Sequence, residues 1–186
     1  MNITEKHALV PFDMAILDTC FLIHPCFPEK LQEIVRASRY RLIPYSVLEE
    51  LRYLSAESGD MKVRADASRL LKETELLRAN GLVTFFGDRT VVEAADLSIL
   101  RYLAVNRFGS AIAVFTQDVK LSRDILRLAE MSCFADTALP PLVVYQLHGG
   151  ELVPCVKIIE EPEKKPAPDA QTQNAKNILA KYGIAV

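Results

Sequence analysis

Four acidic residues are spaced so that an α/β chain could bring them together: Asp18, Glu50, Asp96 and Asp118. Asp18 closes the apolar run Met14-Ala15-Ile16-Leu17 and precedes Thr19, and Asp118 closes Thr116-Gln117-Asp118 after a second apolar run. Ligands of open parallel sheets bind at the carboxyl ends of the strands, so both carboxylates fall on one rim. Asp is also a favoured helix N-cap. That ordinary reading stands beside the functional one for Asp18, and more strongly for Asp118, which immediately precedes a helical stretch.

Helical arithmetic separates Glu49 from Glu50. Val47, Leu48, Leu51 and Leu54 define an apolar stripe at about 100° per residue, with Glu49 opposite it and Glu50 on its edge. Glu49 reads as a solvated charge, whereas Glu50 can reach the rim or pair with a nearby Arg. Asp96 falls three and four positions before Ile99 and Leu100, on the apolar face that they share with Leu103 and Ala104. With Thr90 as N-cap, Asp96 lies beyond the first turn and is no cap. A carboxylate on that face loses water and must gain a basic partner or a cation.

Four like charges close together raise one another's pKa values and destabilise the fold unless something compensates them. A divalent cation does so. Hard oxygen donors, with neither a His cluster nor a thiolate pair, point to Mg²⁺ or Mn²⁺ rather than zinc. Such a site activates water and stabilises charge on a phosphoryl oxygen.

The elements that must position these acids follow from short apolar runs alternating with helical periodicity. Strands are expected at Met14–Leu17, Arg41–Ile43, Leu82–Phe86 and Ala111–Phe115, with a short fifth at Ser132–Ala135. Helices are expected at Pro28–Ser38, from Pro44 to about Ser55, at Met61–Ala79 and at Val119–Glu130. One more should start at the capping-box pair Thr90 and Glu93 and run to about Phe108. Strands apolar throughout and alternating with helices specify a parallel sheet covered on both faces, a three-layer α/β/α domain over residues 1–140. Past Pro140-Pro141, residues 141–159 read as an appended β-hairpin turning at Gly149-Gly150. Residues 160–186 read as a solvated linker and a short helix from Asn174 to Tyr182.

Composition excludes the fibrous and disordered classes. The 186 residues are 50% hydrophobic and 25% charged, and 22 Lys+Arg nearly balance 24 Asp+Glu. Net charge therefore argues neither for nor against a polyanionic partner, for which a local basic stripe suffices. Cys20, Cys26, Cys133 and Cys155 are irregularly spaced and read as reduced thiols. No run of roughly 18 apolar residues suggests a membrane span, and Glu5, Lys6, His7 and Asp13 interrupt any signal-peptide core, so a cytoplasmic location is expected.

Residues 14 to about 135 resemble a PIN domain, a metal-dependent ribonuclease fold. The motifs that carry the resemblance are Ile16-Leu17-Asp18-Thr19, Val47-Leu48-Glu49-Glu50-Leu51, Ala94-Ala95-Asp96-Leu97-Ser98-Ile99 and Phe115-Thr116-Gln117-Asp118, in that order. The resemblance implies a parallel sheet of order 3-2-1-4-5. It also implies Asp18, Glu50, Asp96 and Asp118 as ligands of Mg²⁺ or Mn²⁺, with Thr116 as a supporting hydroxyl. The activity implied is hydrolysis of RNA to 5′-phosphate and 3′-hydroxyl ends, as an endonuclease that serves as a toxin or in RNA processing. A homodimer, or an inhibitor docking on the hairpin or tail, would accompany a toxin role. Cys20 departs from the family's usual Asn or Ser, Gln117 from its frequent Asn, and Val119-Lys120 supply no further acid.

Contacts to RNA are expected from Thr19, Lys62, Arg64, Lys120 and Arg123, with Arg36, Arg39, Arg41, Arg69 and Arg127 as further basic candidates. The leading alternative is a PIN-like module that binds RNA or a protein without cutting. A phosphatase of the haloacid-dehalogenase type would need a second Asp two residues after Asp18, where Cys20 stands.

Overall fold

The structure, a computed structural model, describes residues 9–90, 93–130 and 139–155. It is a mixed α/β fold with one six-stranded sheet and six helices among the described residues. In chain order these are β1 (Phe12–Leu17), α1 (Thr19–Ile23), α2 (Phe27–Ala37), β2 (Ser38–Pro44), α3 (Tyr45–Glu57), α4 (Met61–Ala79), β3 (Thr84–Phe86), α5 (Ala95–Asn106), β4 (Ile112–Phe115), α6 (Val119–Glu130), β5 (Leu142–His148) and β6 (Glu151–Pro154).

The strands lie in the order β3-β2-β1-β4-β5-β6, all parallel except β6, which runs antiparallel to β5. The order reverses at β1: the chain steps outward to β2 and β3, then returns across β1 to β4. In open parallel sheets such a reversal marks the carboxyl ends of the two strands, here β1 and β4, as the place where ligands bind. Leu17 is in register with Phe115, so the residues that follow them stand side by side.

Each central strand buries both faces because its residues alternate between two cores. Ala15, Leu17, Ala113, Phe115 and Tyr145 pack with Phe21, Ile34, Val47, Leu51 and Leu70 of α1 to α4. Ile16, Ile112, Val114 and Val144 pack with Ile99 and Leu103 of α5 and with Leu121 and Ile125 of α6. Phe115 is the aromatic centre of the first core, with ring centroids 5.3 Å from both Tyr145 and Phe21.

The helix ends follow local chemistry. Asp60 caps α4 by accepting from the backbone N–H groups of Lys62 and Val63. At its other end Gly81, at φ 69°, donates to Arg78 O, and Leu82 N donates to Leu77 O at 2.9 Å, which forms a Schellman stop. Gly149 and Gly150, both at positive φ, make the tight β5–β6 turn.

Three expectations change. The helix assigned to Thr90 begins instead at Ala95, because Thr90 turns back to Asp88 Oδ1 and Glu93 accepts from Ser98 Oγ, so no capping box forms. The hairpin is continuous with the sheet: β5 pairs in parallel with β4, from Ile112↔Leu142 to Phe115↔Tyr145. Lys30 Nζ also clips it to α2 by reaching Glu33 and Glu151, each at 3.0 Å. Helix α1 was not anticipated; Pro25 keeps it short, and burial of Phe21 and Leu22 holds it down. The strand expected at Ser132–Ala135 and the tail beyond residue 155 lie outside the described residues. Among the described residues no helix is long and apolar enough to cross a membrane.

Candidate active site

Each of the strands β1 to β4 leads, at its carboxyl end, into the segment that carries one of the four acids. Asp18 follows β1 directly, Glu50 lies on α3 after β2, Asp96 on the first turn of α5 after β3, and Asp118 just beyond β4.

Asp18 is 4% exposed. It occupies the N-cap position of α1 with extended backbone, yet its side chain makes no capping bond. Its Oδ2 instead accepts from Thr116 Oγ1 and from Cys20 Sγ, both at 2.7 Å. The cap explanation for Asp18 therefore fails. Thr116 is fully buried, and besides donating to Asp18 its Oγ1 accepts from the backbone N–H of Asp118 at 2.9 Å. One hydroxyl thus joins the segments after β1 and β4.

Asp118 does cap a helix: its Oδ1 accepts from Lys120 N at 2.6 Å and Leu121 N at 3.0 Å. Both bonds are to the same oxygen. Glu50 is exposed, and its Oε2 accepts from the buried hydroxyl of Thr19 at 2.7 Å. Glu49 points away and pairs with Arg52, as the helical arithmetic requires.

Asp96 is half-buried, and its first-turn position at the positive end of α5 favours a carboxylate, contrary to the expectation that it lies deeper in the helix. Even so, its pKa is raised above the ordinary Asp value. Burial is the largest cause, followed by the negative charges of Asp18, Asp118 and Glu50, while Lys120 acts in the opposite sense. The four acids therefore share one electrostatic field. Among the described residues no ion pair involves any of them. Nor do three or more His, Cys, Asp or Glu side chains among the described residues form a ready cage for an ion. The oxygens of Asp18, Glu50 and Asp118 are held by hydroxyl, thiol and amide donors.

Cys20 is a site residue that the motif pattern marked only as a departure. Its thiol donates to Asp18, lies 3.2 Å from Thr116 Oγ1 and accepts from Gln117 N at 3.0 Å. Burial, then the charge of Asp18 and the hydrogen bond to it, push its pKa up to about 12. It is a neutral donor that fixes Asp18, placed where Asn or Ser would also donate.

The basic candidates divide. Lys120, Arg123 and Arg127 recur at i, i+3 and i+7 on α6, and Lys120 is close enough to act on Asp96. Lys62 and Arg64 are exposed on the first turn of α4. Arg36 is exposed on α2. Arg41 donates to the carbonyls of Leu82, Ser38 and Arg39, Arg69 is paired with Glu73 and Asp66, and Arg39 lies over the ring of Tyr40. Those three serve the fold. Thr19, expected to touch RNA, is instead the buried donor to Glu50.

No protein-family model matches this chain, and no curated protein sequence matches it either.

Proposed function

We propose that this chain is a PIN-type, metal-dependent ribonuclease, an endonuclease that hydrolyses RNA phosphodiesters to 5′-phosphate and 3′-hydroxyl ends. The observation that carries the reading is the half-buried carboxylate of Asp96, whose proton is held by burial and by the negative charges of Asp18, Asp118 and Glu50, while among the described residues no ion pair involves any of the four. The order β3-β2-β1-β4, with one acid after each of these strands, supports the resemblance stated from the motifs; the strand next to β4 is Leu142–His148, which the resemblance does not cover.

The donor set fits Mg²⁺ or Mn²⁺: all-oxygen, anionic and short of positive charge. Asp18, Glu50, Asp96 and Asp118 would hold the cation. When bound it would lower the pKa of a water and offset charge on the phosphoryl oxygens. The protein's own groups prepare that arrangement. Thr116 and Cys20 aim one oxygen of Asp18, Thr19 aims Glu50, and the first turn of α6 fixes Asp118. Lys120, with Arg123 beside it on α6, offers positive charge to an incoming phosphate backbone.

Labelled structured and unstructured RNAs, incubated with Mg²⁺, Mn²⁺ or EDTA, test the reading. Cation-dependent fragments that carry 5′-phosphates are expected. Binding without cleavage under every condition would replace it with the non-cutting RNA-binding module.

A further inference from the structure

We propose that Gln117 reads the sugar of the substrate: its side-chain oxygen accepts a hydrogen bond from a ribose 2′-hydroxyl and so favours RNA over DNA. The proposal rests on RNA as the substrate class and needs no bound cation. Gln117 stands between Thr116 and Asp118, and bonds fix it in the site: its backbone N–H donates to Cys20 Sγ at 3.0 Å, and that thiol donates to Asp18 Oδ2 at 2.7 Å. Its side chain is anchored from the other side, where Nε2 donates to Leu147 O near the end of β5 at 3.3 Å. A backbone carbonyl can only accept, so the end of the amide that faces it is the nitrogen, and Oε1 is left over. That oxygen has no partner among the described residues. It is not one of their buried, unpartnered polar atoms either, so it reaches solvent.

The end of β5 repeats the pattern. Ser122 Oγ donates its one proton to Asp118 O at 2.7 Å, so it accepts from Gln146 Nε2 at 3.1 Å. Gln146 Oε1, 3.3 Å from His148 Nε2, is then the acceptor, and Nε2 carries the proton. The exposed ring keeps Nδ1, an acceptor when the imidazole is neutral. Gln117 and His148 thus set two uncharged acceptors along the neighbouring ends of β4 and β5, each with its donor end committed within the protein. The other polar groups there differ: Lys120 and Arg123 can only donate, and the carboxylates repel a phosphate backbone. An RNA strand carries a 2′-hydroxyl donor on every sugar, whatever the base, and each sugar adjoins a phosphate. A neutral amide oxygen accepts from that hydroxyl without repelling the phosphate beside it. DNA lacks the hydroxyl and leaves the oxygen unmet.

The test is equilibrium binding, in EDTA, of a short fluorescent oligoribonucleotide and its 2′-deoxy counterpart of the same base sequence. Wild type is compared with Gln117→Met, which keeps the length of the side chain and removes the amide. If that variant does not fold, Gln117→Asn, which withdraws the oxygen by one methylene, is read in the same way. The wild type should prefer the RNA by about 5-fold or more, the worth of one hydrogen bond. The variant should bring that ratio close to one with an unchanged salt slope, because no phosphate contact is lost. A wild type without the preference, or a variant that keeps it, would overturn the assignment. So would an equal loss of affinity for both strands, the mark of a merely structural residue. A wild type that prefers RNA through Gln117 yet releases no fragments in Mg²⁺ would overturn the nuclease reading alone. One that binds neither strand would overturn RNA as the substrate, and this proposal with it.

Discussion

Thr116 donates its hydroxyl to Asp18 across 98 positions of sequence, and the 2.7 Å bond closes the gap between the ends of β1 and β4. The same oxygen receives the backbone N–H of Asp118. Removing it disturbs two acids at once, in a place where water does not substitute. Thr116→Val, which keeps the shape, should lower the unfolding free energy by about 1.5–3 kcal/mol, as expected for a lost hydrogen bond to a charged group. Chemical denaturation measures this, and Thr116→Ser should recover most of the loss.

The raised pKa of Asp96 gives stability a definite pH dependence without divalent cations. The folded state holds the Asp96 proton more tightly than the unfolded chain. This contribution is therefore fully favourable below the unfolded value and is lost as pH rises through the raised folded value. Asp96→Asn removes the repulsion, so the variant should melt above the wild type at neutral pH, and the gap should close toward about pH 4. Melting curves across that range decide the sign.

The acids and the strands that carry them were legible because a short apolar run ending in Asp leaves a plain signature, as at Leu17-Asp18. What remained hidden depended on contacts far apart in sequence. Thr19 and Cys20 read as a substrate contact and a departure; only the packing of α1 and α3 against β1 turns them into donors to Glu50 and Asp18. The capping box at Thr90 misled because Asp88 offers its hydroxyl a nearer acceptor. The hairpin over residues 141–159 is legible from its Gly149-Gly150 turn, but the parallel pairing of its first strand with β4 is a non-local fact that no periodicity encodes.

Cys20 should be a poor nucleophile despite lying in the site. A pKa pushed up to about 12, against an ordinary thiol value of 9.0, leaves roughly 1,000-fold less thiolate near neutral pH. The higher basicity returns part of that as nucleophilicity, so alkylation should be roughly 30- to 60-fold slower than in the denatured chain. Peptide-level mass spectrometry after timed iodoacetamide treatment checks this. Modification of Cys20 in the native protein as fast as in urea would contradict it.

If Lys120 meets a phosphate, Lys120→Ala should weaken RNA binding and flatten its salt dependence. The slope of log affinity against log salt should fall by about 0.7–0.9 for the lost contact. Arg41→Lys, by contrast, should leave that slope unchanged, because its guanidinium is committed to backbone carbonyls. Filter binding at several salt concentrations distinguishes the two.

Cleavage of a labelled RNA by wild type and Asp96→Asn, side by side in Mg²⁺ and with the fold of both verified by circular dichroism, tests the account most directly. The wild type should cut, and the variant should lose at least about 100-fold in rate, a deficit of roughly 2.7 kcal/mol in transition-state stabilisation. Equal Mg²⁺-dependent cutting by the two proteins would contradict the claim that these four carboxylates act together.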